Sequence, residues 1–162
     1  MVAKSNSAYQ VTLPSDREIV MTRVFHAPRE LVFKAHMDPA LIAQWWGLRG
    51  NTTIVDQLDA RPGGKWRFVQ RRPDGSEEGF RGEFREIVPP EQFTWTFEWE
   101  GLPGHVGLEK YTFEEHAGQT TLTTTSVFDT PEDRDGVIAS GMEGGANESA
   151  DRLEELLASL AA

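Results

Sequence analysis

The chain has 162 residues, no cysteine, and 16 basic against 26 acidic side chains, a net charge of −10. That length suits one domain around a single core. Lack of cysteine excludes disulfides, thiolate nucleophiles and zinc–thiolate sites, the acidic balance disfavours nucleic acid, and no run reaches the roughly 18 apolar residues of a membrane span.

Residues 1–16 read as a loose polar tail, because Met1 to Ala8 lacks the apolar stretch of a secretory signal. A single domain is expected over 17–162, in the cytoplasm, which a cysteine-free chain permits. Ile19 to Phe25 is β-rich and stops at His26-Ala27-Pro28. Pro28 suits a first helical position, so Arg29 to His36 is predicted as a short helix. Asp38-Pro39 restarts the pattern as N-cap plus Pro, and a second helix runs from Ala40 to Trp46, ended by Gly47. Thr52 to Asp59 is a strand. Gly63 to Gln70 and Glu78 to Val88 flank the turn signal Arg72-Pro73-Asp74-Gly75 and pair as a hairpin.

After Pro89-Pro90-Glu91 comes Phe93-Thr94-Trp95-Thr96-Phe97-Glu98-Trp99-Glu100, in strict aromatic–polar alternation. Successive strand side chains point to opposite faces, so four rings share one side. Together they present about 600–1,000 Å² of apolar surface that requires a cover. Trp66 and Phe68 share a face opposite Lys65 and Arg67. Phe80 and Phe84 point away from the charges of Arg81, Glu83 and Arg85, so the inner surface of one antiparallel sheet is densely aromatic. Gly101 to Gly107 is a glycine-rich loop, and Leu108 to Glu115 with Gln119 to Phe128 form a last hairpin.

The cover is a long helix from Pro131 to Leu160, N-capped by Thr130. Ile138, Met142, Ala146, Ser149, Leu153, Leu156 and Leu160 recur along one of its faces. Its middle (Gly141, Gly144, Gly145, Ala146, Ser149, Ala150) is small throughout. Each glycine costs about 1 kcal/mol against Ala, so the helix either sits close against the rings or leaves a hole there. Charge is uneven as well. Residues 129–155 hold nine acids against Arg134 and Arg152, a balance of −7, whereas residues 61–85 are arginine-rich. Two solvated faces account for this, with a docking surface as the sharper alternative.

Several strings in this order resemble one superfamily: Phe25-His26-Ala27-Pro28-Arg29-Glu30-Leu31-Val32-Phe33, Asp38-Pro39 with Trp45-Trp46-Gly47, Asp59 to Gly64, Phe80-Arg81-Gly82 through Pro90, Thr130-Pro131-Glu132 and Gly141-Met142-Glu143. Over residues 17–160 the chain resembles the SRPBCC (START-like) superfamily, in the branch similar to the C-terminal domain of the activator of heat-shock protein 90 ATPase. The resemblance implies an α+β helix-grip fold, in which a curved antiparallel sheet wraps a long C-terminal helix over a cavity for apolar ligands. In that family the helix usually carries Gly-Trp where this chain has Gly145-Ala146, and Leu where it has Ala150. Two large groups are missing, which favours a cavity. The expected lining is Trp45, Trp66, Phe68, Phe80, Phe84, Trp95, Phe97, Tyr111, Met142 and Ala146.

Catalytic signals are thin. His26, His36, His105 and His116 have no metal-ligand spacing, and Gly63-Gly64-Lys65 lacks the pattern of a phosphate loop, so neither metal nor cofactor is expected. His105 and Glu109 are the one acid–base pair worth naming. Three readings follow. One is binding of a small hydrophobic molecule, aromatic or acyl, in the pocket; the second is a stress-related, co-chaperone-like protein-binding module; the third is a cyclase- or hydrolase-type enzyme using the same pocket. Few polar groups converge, so binding is preferred to catalysis. The expected partner is a small apolar molecule, with a chaperone or a second copy as protein partner. The eukaryotic activator has a further N-terminal domain that residues 1–16 are too short to supply, so direct ATPase activation is not expected.

Overall fold

The computed structural model describes residues 8–161. Eight strands form one antiparallel sheet: β1 (Gln10–Thr12), β2 (Glu18–Phe25), β3 (Thr52–Leu58), β4 (Lys65–Arg71), β5 (Glu77–Val88), β6 (Gln92–Trp99), β7 (Val106–His116) and β8 (Gln119–Val127). Their order is β1-β2-β8-β7-β6-β5-β4-β3. Between β2 and β3 lie α1 (Arg29–Met37) and α2 (Pro39–Trp45), and the chain ends with α3 (Pro131–Ala139) and α4 (Met142–Ala161). This is a curved sheet gripping a C-terminal helix, the α+β architecture expected. No helix among the described residues is long and apolar enough to cross a membrane.

Register builds the inner face. Ile19, Ser126, Glu109, Trp95 and Phe84 pair in sequence across β2, β8, β7, β6 and β5, and so share one side of the sheet. Phe25, Phe68, Phe84, Phe93, Trp95, Phe113 and Leu122 are buried on that side, together with Ala150, Leu153 and Leu157 of α4. Asp38 caps α2 by accepting from the Ala40 N–H at 2.9 Å, and Thr130 caps α3 by accepting from the Asp133 N–H at 3.1 Å.

Three expectations need correction. The terminal helix is not continuous: Gly141, at φ +84°, separates α3 from α4. A left-handed residue reverses the chain out of the helical path, and the Ser140 and Gly141 N–H groups close the α3 end on Gly136 and Ile138 carbonyls. The inward face of α4 is Ala150–Leu153–Leu157, whereas Ile138 and Leu160 are exposed. Finally, β1 lies within the stretch expected to be a loose tail. Val11 pairs with Met21 there, extending the sheet by a strand, while the tail's first seven residues lie outside the described region.

Candidate functional site

The expected aromatic wall exists, and its rings are in contact with one another. Trp66 stacks on Trp95 with centroids 4.0 Å apart, and Phe93 stacks on Tyr111 at 4.4 Å. Phe68 and Phe97 lie 4.8 and 5.6 Å from Trp66, and Phe80 lies 5.7 Å from Phe97. Trp99, the fourth ring of β6, is at the sheet rim, exposed, with its indole N–H donated to Glu78 at 2.9 Å. Of the two tryptophans at the end of α2, Trp46, just past the helix, rests on Phe68 and Phe80, at 5.1 and 5.3 Å. Trp45 turns instead to the α1–α2 core, donating to the Ala35 carbonyl at 2.9 Å. Met142 and Ala146 are partly buried on α4.

The two glycines of α4 are not required for close packing, whereas Ala150 is packed in the core and Ser149 bonds the α2 end. A methyl group added at Gly144 meets nothing within 4 Å, and one at Gly145 meets only Leu48, at 3.9 Å.

A polar group sits under the centre of the sheet. Glu109 Oε1 accepts from the Trp95 indole N–H at 2.8 Å and from the Tyr111 hydroxyl at 2.9 Å, while Ser126 Oγ is 3.5 Å from Oε2. Burial pushes the Glu109 carboxyl up from the ordinary carboxylate range, opposed by those three donors. Burial and the neighbouring Glu109 charge together raise Tyr111 well above an ordinary phenol. Tyr9 is pushed up to about 12, chiefly by burial, with Arg23 opposing and Glu109 reinforcing. Glu109 and Tyr111 lie on the inner face of the sheet, yet each keeps part of its surface accessible, unlike the buried Trp95, Phe93 and Ser126 beside them.

Arg23, one pleat row beyond Met21, is buried on the same face. Its Nη2 meets Asp151 of α4 at 2.9 Å and its Nη1 the Asn147 carbonyl at 3.4 Å, while the Asn147 side chain accepts from the Tyr9 N–H at 2.8 Å. Arg23 Nε has no partner among the described residues. These contacts tie β2, and Tyr9 just before β1, to the first half of α4.

His105 and Glu109 are not brought together. His105 is exposed on the β6–β7 loop and bonds Asp133 of α3 at 2.7 Å, whereas Glu109 is interior. His36 is buried among Trp45, Phe93, Tyr111 and Phe113. Its Nδ1–H donates to the Val32 carbonyl at 2.8 Å, and burial lowers its pKa to about 4. Among the described residues no group of three or more His, Cys, Asp or Glu is placed to hold a metal ion. An open cleft of about 490 Å³ lies at the β4–β5–β6 rim, lined by Arg67, Val69, Gly79, Trp99 and Glu100 among others. Its charged walls are already paired, Arg67 with Glu100 at 2.7 Å and Arg72 with Glu78 at 2.6 Å.

The row Ile19–Ser126–Glu109–Trp95 was not visible in sequence, because the register of β6, β7 and β8 depends on loop geometry and the β2–β8 pairing joins strands far apart in the chain. Arg23 had a signal: it alternates with Met21 and Phe25 on the apolar side of β2.

The family described as Activator of Hsp90 ATPase homolog 1-like protein matches residues 26–158. Among solved structures, a Rhodobacter sphaeroides protein is 27% identical with a TM-score of 0.89, over 94% of this chain and 99% of its own. Protein Ms6760 from Mycobacterium smegmatis is 26% identical with a TM-score of 0.83, over 93% and 98%. The AHSA1 protein from Silicibacter pomeroyi, 23% identical with a TM-score of 0.72 over 87% and 97%, shares the fold. No curated protein matches the sequence.

Proposed function

Because the chain belongs to the activator of Hsp90 ATPase homolog 1-like family, we propose that it binds a small hydrophobic molecule, aromatic or acyl, in a hollow between the sheet and α4. The observation that carries this reading is the residual accessibility of Glu109 and Tyr111 on the inner face of the sheet. Side chains so placed show surface only where a space adjoins them. The small, half-buried side chain of Ala146 agrees with it. On this reading the walls are the partly exposed Tyr111, Phe97 and Phe80 of the sheet and Met142 and Ala146 of α4, while Trp66, Phe68, Phe84 and Trp95 are buried in the aromatic core beside them.

A ligand at about 100 times its dissociation constant stabilises by roughly 2.7 kcal/mol, on the order of 5–10 °C in Tm for a domain of this size. A thermal-shift screen of aromatic and acyl compounds is expected to give such shifts, with quenching of tryptophan emission. A broad screen without one saturable hit would overturn the reading.

One observation favours a second, co-chaperone-like reading. Leu108 and Val127 are cross-strand partners exposed on the outer face, with Val106 two residues away on the same strand. Titration calorimetry against purified Hsp90, with Leu108→Lys as control, tests it. Heat of binding that the variant abolishes supports this reading, and no heat in the wild type removes it.

A further inference from the structure

We infer that the hollow selects a planar aromatic alcohol, its hydroxyl seated on Glu109 Oε2; the inference rests on the binding reading above and names the chemistry of its ligand. The argument is a count of hydrogen-bonding capacity. A carboxyl oxygen offers two lone-pair sites, and both of those on Oε1 are taken, by Trp95 Nε1 at 2.8 Å and Tyr111 Oη at 2.9 Å. Oε2 has only Ser126 Oγ, at 3.5 Å, the outer limit of a hydrogen bond. The second oxygen therefore retains capacity, on an inner-face side chain that keeps part of its surface accessible.

The state of the carboxyl narrows the partner. As an acid, Oε2 carries the proton and donates; as a carboxylate, it accepts. A hydroxyl serves in both cases, since its oxygen accepts and its hydrogen donates. A hydrocarbon leaves Oε2 unpaired, which a buried polar group tolerates poorly. An anionic head is repelled by the carboxylate form. A cationic head must be desolvated in an interior that already holds the Arg23 guanidinium. The surroundings supply the rest of the specificity: Tyr111 and Phe97, the accessible rings of this face, offer aromatic surface to a flat partner.

Titration calorimetry at neutral pH with naphthalene, 2-naphthol, 2-naphthoate and 2-naphthylmethylammonium tests this. The expected result is 2-naphthol binding about tenfold or more tighter than naphthalene, with both charged probes weaker than the naphthol. Glu109→Gln is expected to stay within about threefold of wild type for 2-naphthol, because its amide still accepts from Trp95 and Tyr111 and still donates to the ligand oxygen. Glu109→Leu should bring 2-naphthol to the level of naphthalene. Should that variant fail to fold, the wild-type ratio and Glu109→Gln still decide. Equal binding of naphthalene and 2-naphthol overturns the inference and leaves the hollow standing. Tightest binding by the ammonium also overturns it, since Glu109 would then act as a charge. If no probe binds, the binding reading itself fails and this inference with it.

Discussion

His36 shows how a single buried side chain sets a pH limit on the fold. Its ring is enclosed by four aromatic side chains and its one polar bond is to the Val32 carbonyl, so the neutral form is the one the core accepts. Burial lowers its pKa from 6.5 to about 4. In the unfolded chain the imidazole takes its proton near 6.5, so between these values the unfolded state binds more protons. Stability is therefore fully present above the unfolded pKa and is lost as pH falls through the folded one. At roughly 1.4 kcal/mol per pKa unit the loss amounts to about 3 kcal/mol. Glu109, whose pKa is raised by burial, works in the opposite sense: its contribution is present at low pH and is lost as pH rises through its folded pKa. His36→Phe keeps an aromatic ring in the same surroundings and removes the titration. Urea denaturation of both proteins from pH 7 to 4 should show a flatter profile in the variant, while parallel profiles would mean that His36 is not the group responsible.

Among the elements, β6 and α4 mark what local pattern can and cannot reveal. The alternation of β6 was legible because the period of a strand is fixed: Phe93 and Trp95 are buried as read, and only Trp99, beyond the reach of the helix, escapes to the rim. For α4, counting apolar residues at helical spacing ran straight through Ser140-Gly141. Glycine just after a helical turn is a stop signal, and here it adopts the left-handed conformation. A count begun at Ile138 therefore carried the wrong phase into the next helix, and Leu160 came out exposed while Leu157 is buried. The glycines differ in role accordingly. Gly141→Ala should destabilise by about 1 kcal/mol or more, since Cβ is strained at positive φ. Gly144→Ala, where an added methyl meets open space, should stabilise by about 0.5–1 kcal/mol through helix propensity. Equilibrium denaturation of the two variants checks both signs; a destabilised Gly144→Ala would mean that the open space is occupied in solution.

At the scale of the whole molecule, the helix-grip architecture was readable from motif order and alternation, but the polar centre was not. Glu109, Tyr111 and Ser126 meet Trp95 only because β8, β7 and β6 stand side by side in one register, and Tyr9 reaches the same interior through an edge strand too short to stand out in sequence. The aromatic residues pointed to the right face of the sheet, where Trp66 and Trp95 stack on each other. On the binding reading proposed above, what separates a filled core from a hollow is the small side chain of Ala146. Ala146→Trp tests it across the whole structure. A void accepts the indole with neutral or improved stability, since apolar burial contributes about 25 cal/mol per Å². A closed core is overpacked at a cost of roughly 1–3 kcal/mol. We expect the first outcome by chemical denaturation, together with loss of binding for every compound that shifts the Tm of the wild type, because the ring then occupies the ligand's volume. Strong destabilisation, or a folded variant that still binds, would place the ligand outside the space between sheet and helix.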